Sequence, residues 1–182
     1  MENRTKRQRS ESGYRKKRRR HWDKVSDLKA DVKQSGAYYH ELLARFYRFL
    51  VPPGKRVLEL GCGHGDLLAA LDPGFGVGVD FSGKMLDRAV AQYPDLHFVC
   101  GDVGEIGFKE TFDVIVLSDL VNDLWDLQAV LENIRPLSHS GTRVILNFYN
   151  SLWRIPLGVV KRLGKGADTL EQNWFPPMMW RT

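Results

Sequence analysis

Cysteine is scarce: Cys62 and Cys100 are the only two in 182 residues. Neither has metal-ligand spacing with other Cys or His, so no metal site is expected. One disulfide is arithmetically possible, but reduced thiols in a cytoplasmic protein are the simpler expectation. No apolar run reaches the roughly 18 residues that a helical membrane span needs. No apolar segment follows the basic N-terminus, as a secretory signal would require. Acidic residues are short in one region. Residues 1–24 hold eleven of the 27 Lys and Arg but three of the 22 Asp and Glu, a net of +8 that leaves −3 for the rest. The body is therefore mildly acidic and gives no reason for strong nucleic-acid binding there. Aromatics do not interleave the basic run at residues 15–20, where Tyr14 stands alone, so base stacking is not implied. Residues 1–24 are expected to be a disordered basic tail, with a polyanion contact through residues 4–20.

What is present is a pattern of short apolar runs broken by glycine and polar turns. Val57-Leu-Glu-Leu-Gly-Cys-Gly-His-Gly65 runs an apolar strand into three glycines at alternate positions. Strands are expected over 56–60, 75–79, 96–99, 111–117 and 142–148. Helices are expected over 40–50, 66–71, 84–92 and 126–134. For the first of these, Leu42, Leu43, Phe46, Phe49 and Leu50 recur at helical spacing, and Ser82 is a candidate N-cap for the third. The run at 111–117 is almost continuously apolar, as a strand covered on both faces should be. This alternation implies an α/β fold with a mainly parallel sheet and right-handed crossovers. Ligands of such sheets sit beyond the carboxyl ends of the strands.

The chemistry-bearing residues fall at those ends. Gly61, Gly63 and Gly65 allow a tight turn and close backbone approach to a ligand. Glu59 is read as organising that turn, or as meeting a cationic amino group through water. Asp80, closing Gly76-Val-Gly-Val-Asp80, can accept both hydroxyls of a ribose. Phe81 and Met85 are candidates for the ligand's edge. Asp102 can accept from an exocyclic amine of a purine, with Val103 offering a backbone N–H beside Gly101. Ser118 faces the ligand's amino-acid-like end. Asp119, Asn122 and Asp123 are candidates for the substrate rim. Cys62 and His64 lie inside the glycine turn, and His64 and Asp119 are the candidate bases. For each residue a plainer structural role stands beside the functional one: strand end, helix cap, turn or core.

These motifs resemble those of class I S-adenosylmethionine-dependent methyltransferases. Residues 57–65 look like that family's first motif, Asp80 like its ribose-binding acid, and Gly101-Asp-Val103 like its adenine-binding position. Phe112-Asp-Val-Ile-Val-Leu-Ser118 resembles its fourth-strand motif, and Ile134-Arg-Pro-Leu137 with Gly141-Thr-Arg-Val-Ile-Leu146 its last helix, turn and fifth strand. The resemblance implies a Rossmann-like three-layer sandwich with strand order 3-2-1-4-5 over residues 25–148. It implies S-adenosylmethionine as cofactor, S-adenosylhomocysteine as product, and methyl transfer by direct displacement to an oxygen, nitrogen or carbon of a small-molecule acceptor. Residues 149–182 are expected to form a C-terminal helix and an apolar, substrate-side tail, leaving little room for the sixth and seventh strands that usually complete the family's sheet. Two other readings stay open. One is an NAD-dependent oxidoreductase, although the glycine spacing departs from Gly-x-Gly-x-x-Gly and Asp66 occupies the place of that pattern's third glycine. The other is a catalytically incomplete binding module with a polyanion-binding tail.

Overall fold

The computed structural model describes residues 2–27 and 30–149, with side chains from 11 to 26 and from 38 onward. Its strands are β1 (Arg56–Leu60), β2 (Phe75–Asp80), β3 (His97–Cys100), β4 (Phe112–Leu117) and β5 (Ser138–Leu146). Its helices are α1 (Glu2–Asp27), α2 (Ala30–Leu50), α3 (Asp66–Ala70), α4 (Gly83–Gln92) and α5 (Leu127–Ile134). The strands form one sheet in the order β3-β2-β1-β4-β5. Every neighbouring pair is parallel, so the chain crosses over a helix or a long turn between strands.

The central strands are apolar on both faces because both are covered. Leu58, Leu60, Ile115 and Leu117 enter one core with Val79, Val130 and Ile134. Val57, Val114 and Val116 point the other way, to Leu68, Tyr47 and Val51. Burying each such side chain contributes about 1.5–3 kcal/mol. Glu59 is the exception, a carboxylate 3% exposed in the middle of this run.

Glycines in β2 set how closely its neighbours pack. A Cβ at Gly78 would lie 2.7 Å from Cys62 Sγ and 2.9 Å from a Phe98 ring atom, so β2 lets β3 and the β1 turn close over it. Ser82 caps α4, its Oγ accepting from Met85 N at 3.4 Å. Asp126 caps α5 by accepting from Ala129 N at 3.0 Å.

Two expectations about helices need correction. Residues 1–24 were expected to be disordered, yet residues 2–27 are helical and the described part lies against the sheet's carboxyl edge. The reason is charge complementarity. Arg15 and Arg18 meet Asp102, Glu105 and Asp123, which a reading of the tail alone does not supply. In α2, Tyr47 and Leu43 pack on the core, whereas Phe46 and Phe49 are 62% and 88% exposed. The apolar periodicity there is wider than the buried stripe. The expected C-terminal helix and apolar tail, which were to leave little room for a sixth and seventh strand, fall outside the described residues. No helix among the described residues is long and apolar enough to cross a membrane.

Candidate functional site

The turn after β1 is built by three left-handed glycines, Gly61, Gly63 and Gly65, with φ of 71°, 52° and 78°. Gly61 and Cys62 both donate their N–H to Val79 O, at 2.7 and 3.1 Å, which straps the turn to the end of β2. A Cβ at Gly61 would meet Leu120 at 2.9 Å and one at Gly65 would meet Phe98 at 2.7 Å, so both serve packing. A Cβ at Gly63 would meet nothing within 4 Å, so this glycine borders open space.

Asp80 sits across that turn. Its Oδ2 accepts from Gly63 N at 3.0 Å and its Oδ1 from Ser82 N at 2.8 Å. Each oxygen keeps further acceptor capacity, enough for two hydroxyls of one ligand. Burial holds the Asp80 carboxyl above its ordinary range, and the N–H groups of Ser82, Gly63 and Phe81 oppose that. Glu59 is the deeper acid. Its Oε2 is buried without a hydrogen-bond partner among the described residues. Burial raises its pKa to about 8, a hydrogen bond with the Leu68 backbone opposes this, and Asp80, Asp66 and Asp119 add repulsion. A buried carboxyl with a spare oxygen is a place for a cation.

Asp102 follows β3. Its Oδ1 accepts from Gly104 N at 2.8 Å, and its Oδ2 pairs with Arg15 at 3.0 Å. Gly101 is fixed by its N–H donating to Asp80 O at 3.0 Å, whereas Val103 is 6% exposed and belongs to the core. Met85, 4% exposed, packs under the N-cap of α4, and Phe81 is half-buried at the end of β2. Burial drives the Cys62 thiol far up, with Glu59 and Asp80 adding to it, so it is no thiolate nucleophile. Cys100 is an exposed free thiol.

Beyond β4 lies a polar cluster. Among the described residues, Asp119 is one of two non-glycine residues with positive φ, at 53°. Its Oδ1 accepts from Tyr39 Oη at 2.8 Å and from Asn147 Nδ2 at 2.6 Å, and its N–H donates to Asn147 Oδ1 at 2.9 Å. Tyr47 Oη donates to the same Asn147 oxygen at 3.0 Å and also lies in hydrogen-bond contact with Ser118. Tyr149 stacks on Tyr39 with ring centroids 6.5 Å apart. Burial raises both Tyr39 and Tyr149, with Asp119 adding to it. This cluster draws on α2, β4 and the end of β5, so a left-handed Asp119 is held from three directions.

The structure thus gathers Glu59, the glycine turn, Asp80, Asp102, Ser118 and Asp119 along one edge of the sheet. His64 is half-buried within the turn. Asn122 does not line an open rim. It is 1% exposed, and its amide is used by Tyr149, donating to the carbonyl at 2.9 Å and accepting from the N–H at 2.8 Å. Asp123 faces α1, where it meets Arg18 and Trp22 Nε1, the latter at 3.2 Å. Tyr39, Tyr47, Asn147 and Tyr149 are absent from the motifs, as are Arg15, Arg18 and Trp22. Helical spacing of Tyr14, Arg18 and Trp22 was the available signal for the last group.

Among the described residues, no three His, Cys, Asp or Glu cluster to hold a metal ion. Comparison with known proteins matches residues 57–141 to the family described as methyltransferase domain. The phthiotriol/phenolphthiotriol dimycocerosates methyltransferase of Mycobacterium leprae is 41% identical over 70 residues, covering 35% of this chain and 26% of that protein. The 2-phytyl-1,4-naphtoquinone methyltransferase of Trichormus variabilis is 33% identical over 110 residues, covering 53% and 48%. The chain spans about half or less of the curated relatives it matches. Among solved structures, a chain from the complex between the Haloferax volcanii Trm112 methyltransferase activator and its methyltransferase superposes with a TM-score of 0.69 at 20% identity, covering 86% of this chain and 70% of that one. The TehB-like methyltransferase of Corynebacterium glutamicum gives 0.54 at 23% identity, covering 74% and 83%. At these identities the structural likeness is one of fold.

Proposed function

We propose that the chain carries a class I S-adenosylmethionine-dependent methyltransferase domain and transfers a methyl group to a small-molecule acceptor at the edge formed by Glu59, Asp80 and Asp119. The observation that carries this reading is the pairing of an Asp80 carboxylate clamped by Gly63 and Ser82 with a buried Glu59 oxygen that lacks a partner. The first suits a ribose diol and the second a cationic amino group, and both occur in S-adenosylmethionine. That cofactor supplies a sulfonium-activated methyl group when bound.

In this reading the residues bind and align. Gly63 lets the backbone approach the cofactor, and Asp80 orients the ribose. Asp102 takes the purine amine, sharing its carboxylate with Arg15. Asp119, its Oδ1 fixed by Tyr39 and Asn147, offers Oδ2 to the acceptor's O–H or N–H. With the cofactor held by these residues, the chemistry available would be direct displacement of its methyl group by the acceptor's lone pair, with the sulfur as leaving group. Where the acceptor carries a proton, Asp119 receives it. Alignment and exclusion of water supply much of the rate, so no protein nucleophile is needed. S-adenosylhomocysteine is the product, and a cytoplasmic setting suits the exposed free thiol of Cys100.

Calorimetric titration with S-adenosylhomocysteine, with NAD in parallel, tests this. Binding of the first alone is expected. A folded chain that binds NAD alone, or neither, refutes it. Turnover against quinols, phenols and amines then identifies the acceptor.

A further inference from the structure

We propose that the outward face of α1 is a docking surface for the phosphate backbone of a nucleic acid. The inner face of this helix is committed to the body. Arg18, 4% exposed, pairs with Asp123, Trp22 donates to the same carboxylate, and Asp23 accepts from Ser82 Oγ at 2.6 Å. Arg15 reaches Glu11, Asp102 and Glu105. What remains is the opposite side. Lys16, Lys17, Arg20 and Lys24 are all exposed and fall within about 100° of helix arc at 3.6 residues per turn. Arg19, also exposed, flanks them. None of these five forms an ion pair with a described residue.

Charge and shape favour one occupant. Lys16, Arg20 and Lys24 follow a four-residue spacing and line up over about 12 Å of helix axis. A duplex presents about seven phosphate charges over that length. The row is also held in place before binding, because the inner face is anchored, so little ordering is left to oppose association. A helix that inserts into a membrane surface needs an apolar face to bury. Here the aromatic residues Tyr14 and Trp22 are turned toward the body, where they meet Trp125 and Asp123. Among the described side chains of the outer arc, every charged one is a cation. The sequence alone places a polyanion contact loosely over residues 4–20. The helix narrows it to one face and extends it to Lys24. The cations that meet the phosphates are no part of the cofactor site, although the anchoring Arg15 shares Asp102 with it.

The test is fluorescence anisotropy of the full chain with a labelled DNA duplex across about 50–200 mM salt, beside phosphatidylserine vesicles. Replacing Lys16, Lys17, Arg20 and Lys24 by Gln is expected to reduce the slope of log affinity against log salt by about 3.5, and to weaken binding by at least about 30-fold near 100 mM. Glutamine keeps helix propensity close to that of lysine, and circular dichroism checks the fold. The paired variant Lys16→Gln/Arg20→Gln, which leaves more of the helix intact, should lower the slope by about 2. An unchanged slope in both variants would overturn the proposal, as would no duplex binding at the lowest salt. Tighter binding to the vesicles than to the duplex would also overturn it.

Discussion

Replacing Asp123 by Ala should release α1 from the body without unfolding the sheet. Asp123 is the partner of Arg18, whose side chain is 5% exposed, and it also accepts from Trp22 Nε1. If the helix stayed docked, Arg18 would remain buried without the Asp123 carboxylate and rely on its other contacts, among them the Tyr14 ring, at a cost of about 3 kcal/mol. The other polar ties of α1 are weaker. The Arg15 pairs are about one-third exposed on the arginine side, and such pairs contribute about 0–1 kcal/mol each. Undocking returns Arg18 to water and avoids the penalty, so the helix leaves and the core stays. A shift of about 3 kcal/mol multiplies the undocked population by about 100. Trypsin cleavage at Arg18, Arg19 and Arg20 should accelerate accordingly, while the thermal midpoint of the body moves little. The double variant Arg18→Met/Asp123→Leu removes both charges at similar volume and should recover much of the protection. Unchanged cleavage in Asp123→Ala would refute the role of the pair. A double variant as labile as the single one would show that packing around Asp123, and not the ion pair, holds the helix.

Other outcomes follow from the site. Asp80→Ala removes a carboxylate able to accept two charge-assisted hydrogen bonds and should weaken S-adenosylhomocysteine by about 100-fold in calorimetry; unchanged affinity would sink the ribose assignment. Gly63→Ala puts a methyl group into open space at positive φ, and should weaken the same ligand at least about tenfold for about 1–2 kcal/mol of backbone strain. Gly54→Ala, also at positive φ with open space around it, should cost similar stability and leave binding alone. The folded pKa of Glu59, about 8 against an ordinary 4.5, means the native state holds the extra proton between those values. Stability should therefore fall as pH rises through that window, by up to about 1.4 kcal/mol per pH unit. Chemical denaturation should show that slope in the wild type and its loss in Glu59→Gln; identical slopes would remove Glu59 as the cause.

The sheet was legible because its signals are local. Each strand is a short apolar run ended by glycine or a polar turn, and β4 is buried on both faces, so its continuous hydrophobicity matches its place. The caps at Ser82 and Asp126 follow from residue type and position. The motif acids were also readable, since each lies where a strand ends. Strand limits moved by a few residues, most in β5, which starts at Ser138 because Phe112 pairs there before a register shift. What could not be read were contacts made across long sequence separations. Tyr39 reaches Asp119 over 80 residues and Tyr47 reaches Asn147 over 100. A tyrosine on an amphipathic helix carries no mark that says which carboxylate it meets.

The same limit explains the basic segment, and it changes how the acidic body is understood. Considered alone, eleven cations in 24 residues repel one another and predict disorder. Yet five of the body's acids, Glu59, Asp80, Asp102, Asp119 and Asp123, lie along the carboxyl side of the sheet. Arg15 and Arg18 neutralise Asp102 and Asp123 and so give the helix its seat. No Lys, Arg or His among the described residues forms an ion pair with Glu59, Asp80 or Asp119. Asp80 is held by backbone N–H groups and Asp119 by a tyrosine and an asparagine, which orient a carboxylate without cancelling its charge. The repulsion this leaves is visible in Glu59, whose proton is retained partly because Asp80 and Asp119 are near. A ligand with an ammonium and a sulfonium group relieves that repulsion, whereas an anionic one adds to it. The division of acids between the helix and the open edge thus supports the proposed cationic cofactor on electrostatic grounds that do not depend on the glycine motif.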